Sequence, residues 1–274
     1  MSKFIERLDQ HQRSAIEQMR GRGLVHSRDY IVEGVYLQGS QNYNVHTATS
    51  DVDSKLVLVP TVRSLIRGTK LAFDLDIPCG GTVEKCSVKP FKDFEALFFK
   101  GNFNNLEILF TEYKLQTFSS VVPILEAKRE EIVAMIWPSL VSACLGMQNQ
   151  KKSGLYKCTE GTKNFFDKYG YDNKNLIHIL RIAYSVSKYQ TFGNFAEALL
   201  VDDEEMQKVI SDIRYGVVGK GEVDEMVDGA IKSVEVVRDN LRDSGMYEQM
   251  NKQLPVFRAV LEESTSHRLE QIIK

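Results

Sequence analysis

The chain of 274 residues is poor in cysteine, tryptophan and proline, with four, one and six of them respectively. None of the cysteines forms a C-x-x-C pair, and no closely spaced histidine pair lies near them. This pattern speaks against a zinc site. So few cysteines in a chain of this length also speak against a disulfide scaffold. The sequence therefore predicts neither a zinc-stabilised nor a disulfide-stabilised fold.

Long apolar runs and an excess of one charge are also lacking. The most apolar stretch, 132–147, is interrupted by Pro138 and two serines, and it falls short of the roughly 20 residues that a membrane span needs. The opening MSKFIERLDQ has no apolar signal-peptide core. We therefore expect a soluble, cytoplasmic protein without a membrane partner.

The charges nearly cancel, with 35 Lys and Arg against 37 Asp and Glu and a net charge of −2. Phosphate contacts dominate affinity for long nucleic acids, so the missing basic field disfavours such a partner. Hydrophobic residues at 43% and charged residues at 26% are ordinary for a globular protein. The length suits one large domain or two modest ones.

The residue patterns change character near position 120. The first part mixes helical periodicity with short β-rich runs, which predict strands over 31–37, 54–59, 82–88 and 105–111 and helices over 3–19, 61–70 and 90–99. The stretch between 70 and 82, with Pro78 and Gly80-Gly81, is interpreted as irregular. Beyond 120 only helical segments follow, over 121–146, 159–168, 173–188, 193–201, 203–214, 222–243 and 253–273. The sequence thus predicts an α+β fold, with a small mixed-sheet domain at 1–120 and an all-helical domain at 121–274.

Two acidic residues stand at the start of the second predicted strand. Asp51 and Asp53 are two positions apart, so their side chains are expected to point the same way. Mg²⁺ is commonly held by one or two carboxylates, with waters and substrate phosphates. Upstream, the first strand ends at Gly39-Ser40, where the missing Cβ lets the backbone approach an anion. Each piece alone would indicate only a turn or a capped loop, but together they predict a nucleotide–metal site.

A second cluster of polar residues lies in the helical half. Lys174, His178 and Arg181 are at i, i+4 and i+7 and share one face of a predicted helix. Such a basic stripe is often simply a solvated face. It can equally meet a triphosphate or an acidic acceptor across a cleft from the two aspartates.

Four ordered motifs resemble those of the DNA polymerase beta superfamily of nucleotidyltransferases, and in particular the nucleotidyltransferases predicted in bacteria and their phages. The resemblance spans roughly residues 30–190. Its motifs are LQGSQNYN at 37–44, SDVD at 50–53, KGNFNNLEILFT at 100–111, which is similar to "NPN-x-LE-LLFT", and YDNK at 171–174 followed by HILR at 178–181.

This resemblance implies a palm-like nucleotidyltransferase domain that uses a nucleoside triphosphate and two Mg²⁺ ions. It implies transfer of a nucleoside monophosphate to an acceptor hydroxyl, with release of pyrophosphate. Asp51 and Asp53 then take the metal-binding, catalytic roles. The residues expected to bind the nucleotide are Gly39, Ser40, Lys55, Lys174, His178 and Arg181.

The resemblance also implies a third metal-binding carboxylate, before the 100–111 motif. There the sequence reads EKCSVKP at 84–90, with Ser87 or Pro90 in place of the acid. Glu84 and Glu107 are the remaining candidates. Glu107 is predicted in mid-strand between apolar neighbours, where a carboxylate is costly unless it is paired or bound to metal. We therefore assign Glu107 as the third catalytic and metal-binding acid, and the alternative is a glutamate on the solvated face of a sheet.

The leading hypothesis is thus a Mg²⁺-dependent nucleotidyltransferase whose acceptor is a protein, a small molecule or a short RNA end. The alternative is a catalytically weakened relative that binds a nucleotide or a protein partner as a regulatory module. The sequence specifies neither the acceptor, nor the preferred base, nor the oligomeric state.

Overall fold

The computed structural model describes residues 2–21, 30–47, 50–68, 71–79, 82–116, 121–158, 160 and 163–273. Its sheet contains the strands β1 (Tyr30–Gln38), β2 (Asp53–Pro60), β3 (Phe73–Cys79), β4 (Thr82–Pro90) and β5 (Lys114–Gln116). Their spatial order is β3-β4-β2-β1-β5, and the pair β2–β4 is parallel while the other pairs are antiparallel. The helices of the first half are α1 (Ser2–Gly21), α2 (Val62–Arg67), α3 (Phe91–Phe99) and α4 (Phe103–Leu106).

The second half is helical, as predicted. Its helices are α5 (Val122–Ala127), α6 (Arg129–Gly154), α7 (Lys163–Tyr169), α8 (Asn173–Phe192), α9 (Phe195–Leu199), α10 (Glu204–Tyr215), α11 (Lys220–Asp243) and α12 (Met246–Ile273). The α+β fold class is confirmed: a mixed sheet in the first part of the chain precedes the helices.

The two faces of the sheet pack against different partners, because successive side chains of a strand point to opposite sides. Leu56 and Leu58 of β2 join Ala15 and Met19 of α1 in one apolar cluster. The alternate residues Val57 and Val59 join the cluster that continues through α3, α6, α8 and α11. We call these the α1 face and the cleft face. The sheet and the helical half therefore share one core, and the domain boundary near residue 120 stays a prediction.

The predicted strand at 105–111 is wrong. Residues 103–106 form α4, and Glu107–Leu109 form a 3₁₀ turn. The Asn102 side chain caps this helix by accepting a hydrogen bond from the amide of Asn105 at 3.1 Å. Phe103, Leu106 and Leu109 are all buried at a spacing of three residues. A short apolar run of this kind does not distinguish a strand from a buried helical turn, and the tertiary packing decided between them.

A glycine in the left-handed region makes this turn possible. Gly101 has φ +74°, and a Cβ added there would lie 2.6 Å from the backbone nitrogen of Leu140 in α6. Only glycine allows both this backbone conformation and so close an approach of two backbones. The turn thereby brings α4 and Glu107 to the edge of the cleft face.

Two strands were missed. The segment interpreted as irregular contains β3, an edge strand in which exposed Asp74 and Asp76 alternate with buried Leu75 and Ile77. Pro78 obscured the pattern, but an edge strand tolerates proline because one side of its backbone needs no partner. The other missed strand, β5, has three residues, too few for periodicity to show.

Among the described residues, α6 is the one helix long and apolar enough to pass a membrane-span test by length and composition. A core helix passes the same test. Residues such as Val133, Ile136 and Leu140 of α6 are fully buried, and the helix packs against α8, α11 and α12. Its apolar composition is therefore explained by burial inside the protein.

Candidate functional site

A cleft of about 900 Å³ lies between the cleft face of the sheet and the N-terminal part of α8. Nearly all of the residues that the sequence assigned to a nucleotide–metal site line it. They are Gly39, Ser40, Asp51, Asp53, Lys55, Glu107, Lys174, His178 and Arg181. The structure thus brings together residues that are far apart in the chain, although their roles stay predictions.

The aspartate pair stands where β2 begins. Asp53 is the first residue of β2 and is paired with Gln38, the last residue of β1. Burial raises the pKa of Asp53, as does repulsion from Asp51, while Lys174 acts in the opposite direction. Two carboxylates that repel each other in a partly desolvated place fit one Mg²⁺ ion, which takes oxygen ligands and fills its remaining positions with water and phosphate. Lys174 lines the same cleft, so the N-terminal part of α8 faces this pair.

The loop after β1 is folded back onto the aspartate pair. Gly39 has φ +91°, and a Cβ added there would lie 3.5 Å from Oδ2 of Asp53. The amide of Asn42 donates to the carbonyl of Gly39 at 3.0 Å, and Nε2 of Gln41 donates to the carbonyl of Asp51 at 2.6 Å. The Gly39-Ser40 turn and the carboxylates are therefore held as one unit.

Beyond Asp53, the side chains that β2 and β4 contribute to the cleft lining are cationic or carry a hydroxyl group. Lys55 pairs with Ser87, and both line the cleft together with Lys89. Lys55 donates from Nζ to the carbonyl of Asn104 at 2.6 Å. Burial, assisted by the neighbouring charge of Lys89, lowers the pKa of Lys55 to about 7.

The opposite wall is the predicted basic face of α8. Asp172 caps this helix by accepting hydrogen bonds from the amides of Lys174 and Asn175 at 2.9 and 3.1 Å. Arg181 is 3% exposed, and its guanidinium stacks 3.6 Å from the ring centre of Tyr43. Stacking fixes the guanidinium, so its donors need no reorganisation to bind an oxyanion.

Two nitrogen atoms on this wall have no hydrogen-bond partner within the described part of the chain. They are Nη1 of Arg181 and Nε2 of His178. Burial, assisted by the charges of Arg181 and Lys151, lowers the pKa of His178 to about 3, so this histidine is neutral near pH 7. Buried polar groups normally find partners, and a ligand with oxygen atoms would supply them here.

Glu107 differs from its predicted setting. It lies in the 3₁₀ turn, 2% exposed, and its Oε2 accepts a hydrogen bond of 3.5 Å from the amide of Gly39. Burial raises its pKa to about 8, and Arg181 opposes this shift. The alternative expectation, a glutamate on the solvated face of a sheet, is therefore wrong.

This carboxyl group should make stability depend on pH. Its pKa is about 8 in the folded protein against an ordinary 4.5, so between these values the folded protein holds a proton that the unfolded chain has released. Stability then falls as pH rises through this window. Between pH 5 and 8 the Glu107 carboxyl group should lower the free energy of unfolding by about 3 kcal/mol, and Glu107→Gln should remove this contribution. Urea denaturation at several pH values tests this. His178 contributes equally to both proteins, and parallel pH profiles would contradict the prediction.

Glu84, the other candidate third acid, lies on the α1 face. It forms an ion pair with Arg7, contacts Nδ1 of His11 at hydrogen-bond distance, 2.7 Å, and accepts a hydrogen bond from the amide of Val52 at 3.3 Å. His11 reaches Oγ of Ser54 at 2.8 Å, and Arg7 donates to the carbonyl of Ser50 at 3.2 Å. This buried network, which we call the Glu84 network, fixes the Asp51–Asp53 segment from behind.

Arg7, His11 and Lys89 are not predicted from the sequence as functional residues. Arg7 and His11 are four residues apart on one face of α1, but nothing local distinguishes them from ordinary helix polar residues. Across the described ranges, no group of three or more His, Cys, Asp or Glu side chains is placed to hold a metal ion.

No protein-family model and no curated protein matches the chain. A solved structure of a nucleotidyltransferase-like protein from Exiguobacterium sibiricum is similar over 86% of this chain and 77% of that one, with 10% sequence identity and a TM-score of 0.33. A likeness this distant carries no argument about activity.

Proposed function

We propose that the cleft binds a nucleoside triphosphate with Mg²⁺ and that the protein transfers the nucleoside monophosphate to an acceptor hydroxyl. The observation that carries this proposal is the opposition of charges across one cleft. Asp51 and Asp53 stand on the sheet side, and Lys174 and Arg181 stand on the α8 side. A metal–triphosphate needs both, carboxylates for the cation and donors for the phosphate oxygens.

Each group has a role in this proposal. Asp51 and Asp53 hold Mg²⁺, which when bound stabilises negative charge on the phosphate oxygens. The guanidinium of Arg181 is suited to binding a phosphate through paired hydrogen bonds. The turn at Gly39-Ser40 lets the backbone approach the phosphates without a Cβ in the way.

Transfer replaces one bond at the α-phosphorus by another. The acceptor oxygen attacks the α-phosphorus, and the bond from that phosphorus to the oxygen bridging the β-phosphate breaks. Pyrophosphate leaves with the bonding electrons, and the hydroxyl proton passes to solvent. The near-zero net charge favours a small molecule, a protein or a short RNA end over long nucleic acid.

A second candidate is a nucleotide-binding module that does not catalyse transfer. One observation favours it: the cleft-face residue of β4 beside Lys55 is Ser87 rather than an acid. Without a further carboxylate, the acceptor hydroxyl has less help in losing its proton. Binding without transfer would follow.

Incubation with the four α-³²P-labelled nucleoside triphosphates, in Mg²⁺ or in EDTA, tests the proposal. The acceptors are the protein itself, a cell extract fractionated into protein and small molecules, and short RNA. We expect Mg²⁺-dependent labelling and a Mg²⁺-dependent rise in melting temperature, since a ligand at 100 times its Kd adds about 2.7 kcal/mol of stability. A thermal shift without labelling would favour the binding module. The absence of both labelling and a thermal shift would contradict both candidates.

A further inference from the structure

The strand next to the aspartate pair offers no acid to the cleft. In the parallel pair β2–β4, Asp53 pairs with Lys85 and Lys55 pairs with Ser87, and paired residues of neighbouring strands project to the same face. Ser87 and Lys89 line the cleft. Where a third carboxylate would help to hold a second cation, β4 thus presents a hydroxyl and ammonium groups.

Glu84 cannot fill this gap because it belongs to the other face of the sheet. Its neighbour two residues on, Cys86, packs in the α1-face cluster. Its oxygens contact Arg7, Nδ1 of His11 and the amide of Val52. Turning it to the cleft would leave the fully buried His11 without its carboxylate partner. A buried polar group without a hydrogen-bond partner is costly.

Within the described part of the chain, the other acids near the sheet are also committed or remote. Glu33 of β1 accepts a hydrogen bond from the amide of Val121 and does not line the cleft. Glu107 is enclosed, with one oxygen toward the amide of Gly39 and the guanidinium of Arg181 as its cationic neighbour. Asp74 and Asp76 lie one strand further out on β3, opposite Ser87 and Lys85. Asp76 forms an ion pair with Lys85, and neither aspartate lines the cleft.

From this arrangement we infer that the cleft holds one divalent cation with its nucleotide, bound by Asp51 and Asp53, and not the two ions that the superfamily resemblance implies. Among the described residues that line the cleft, Glu107 is the one further acid and is committed to Gly39 and Arg181, so a second ion would face the side chains of Lys55 and Lys89 without a carboxylate of its own. Two-ion sites hold their ions about 3.5–4 Å apart on shared and separate acids. This inference rests on the proposed function.

Manganese counting by EPR spectroscopy tests this inference without measuring transfer. The full-length protein is saturated with α,β-methylene-ATP, whose α–β linkage resists cleavage, and titrated with Mn²⁺. We expect the spectrum of one isolated protein-bound ion per chain. A spectrum of two exchange-coupled ions in the wild-type protein would overturn the inference. If the protein immobilises neither Mn²⁺ nor the analogue, the proposed function itself fails instead.

Substitutions test whether position 87 is where a third carboxylate would bind a second ion. Ser87→Asp should create a coupled pair of ions, while Ser87→Asn, matched in size but uncharged, should keep one. A single ion in folded Ser87→Asp would overturn the assignment of Ser87 to the vacant position. Glu107→Gln should keep one ion, and loss of the Mn²⁺ signal in folded Glu107→Gln would show that this acid is a ligand and would overturn the inference.

Discussion

A double variant, Asp51→Asn with Asp53→Asn, is expected to lose nucleotidyl transfer by at least about a hundredfold. Asparagine keeps the size of each side chain but removes the negative charge that holds the cation. A metal ion contributes several kcal/mol to stabilising charge in such reactions, and each 1.4 kcal/mol corresponds to a factor of ten. The Mg²⁺-dependent thermal shift with nucleotide should be lost as well. Labelled-nucleotide transfer and melting curves measure the two effects.

The chain contains its own matched control for this variant. Asp74 and Asp76 have the same D-x-D spacing, but they are exposed on the edge strand β3 and lie outside the cleft. Asp74→Asn with Asp76→Asn should therefore leave transfer and the thermal shift unchanged. Equal losses in both double variants, or full transfer in the first, would contradict the placement of the site at Asp51 and Asp53.

Glu84→Ala is expected to lower the free energy of unfolding by about 3 kcal/mol. Removing one partner of a buried ion pair costs about 3–5 kcal/mol because the other is left uncompensated. The lower end applies here, since the side chain of Arg7 is 28% exposed and can be rehydrated. His11 is fully buried, and burial lowers its pKa although Glu84 opposes this. It is therefore held as a neutral ring that donates from Nδ1 to the carboxylate, and alanine would leave that donor unsatisfied. Urea denaturation measures the change.

Asp76→Ala is the control for this stability prediction. Its ion pair with Lys85 joins the same two strands, but both side chains are more than half exposed, and exposed pairs contribute little. The unfolding midpoint should stay within experimental error. A Glu84→Ala protein as stable as the Asp76→Ala protein would contradict a structural role for the Glu84 network.

The Glu84 variant and the aspartate variants are expected to differ in their effect on stability. The Glu84 network holds Ser50 and Val52 on either side of Asp51, so its loss should loosen the aspartate pair as well as α1. The aspartate variants change charge within the cleft and leave this network in place.

Much of the fold and of the site follows from local sequence. The continuous apolar run Leu56-Val57-Leu58-Val59, closed by Pro60, predicts β2 from local sequence, because a short run of this kind is typical of a strand buried on both faces. The basic face of α8 likewise follows from a spacing of four and three residues. Gly39-Ser40 and the pair Asp51 and Asp53 could be selected because turn and strand chemistry lie within a few residues of each other.

The surroundings of the remaining acids were decided only by the tertiary structure. The short apolar run around Glu107 fits a strand as well as a turn and predicts a strand, whereas packing against α6 at Gly101 makes this segment a buried turn. The side of the sheet to which Glu84 turns depends on the pairing of β2 with β4 and on contacts with α1, more than seventy positions away in the chain. Long-range pairings of this kind leave no periodicity in the sequence. The sequence by itself thus determined the α+β order, the aspartate pair and the basic helix face, since these are local patterns. Tertiary structure alone decided which acids reach the cleft, because burial, strand register and charge partners come from distant segments.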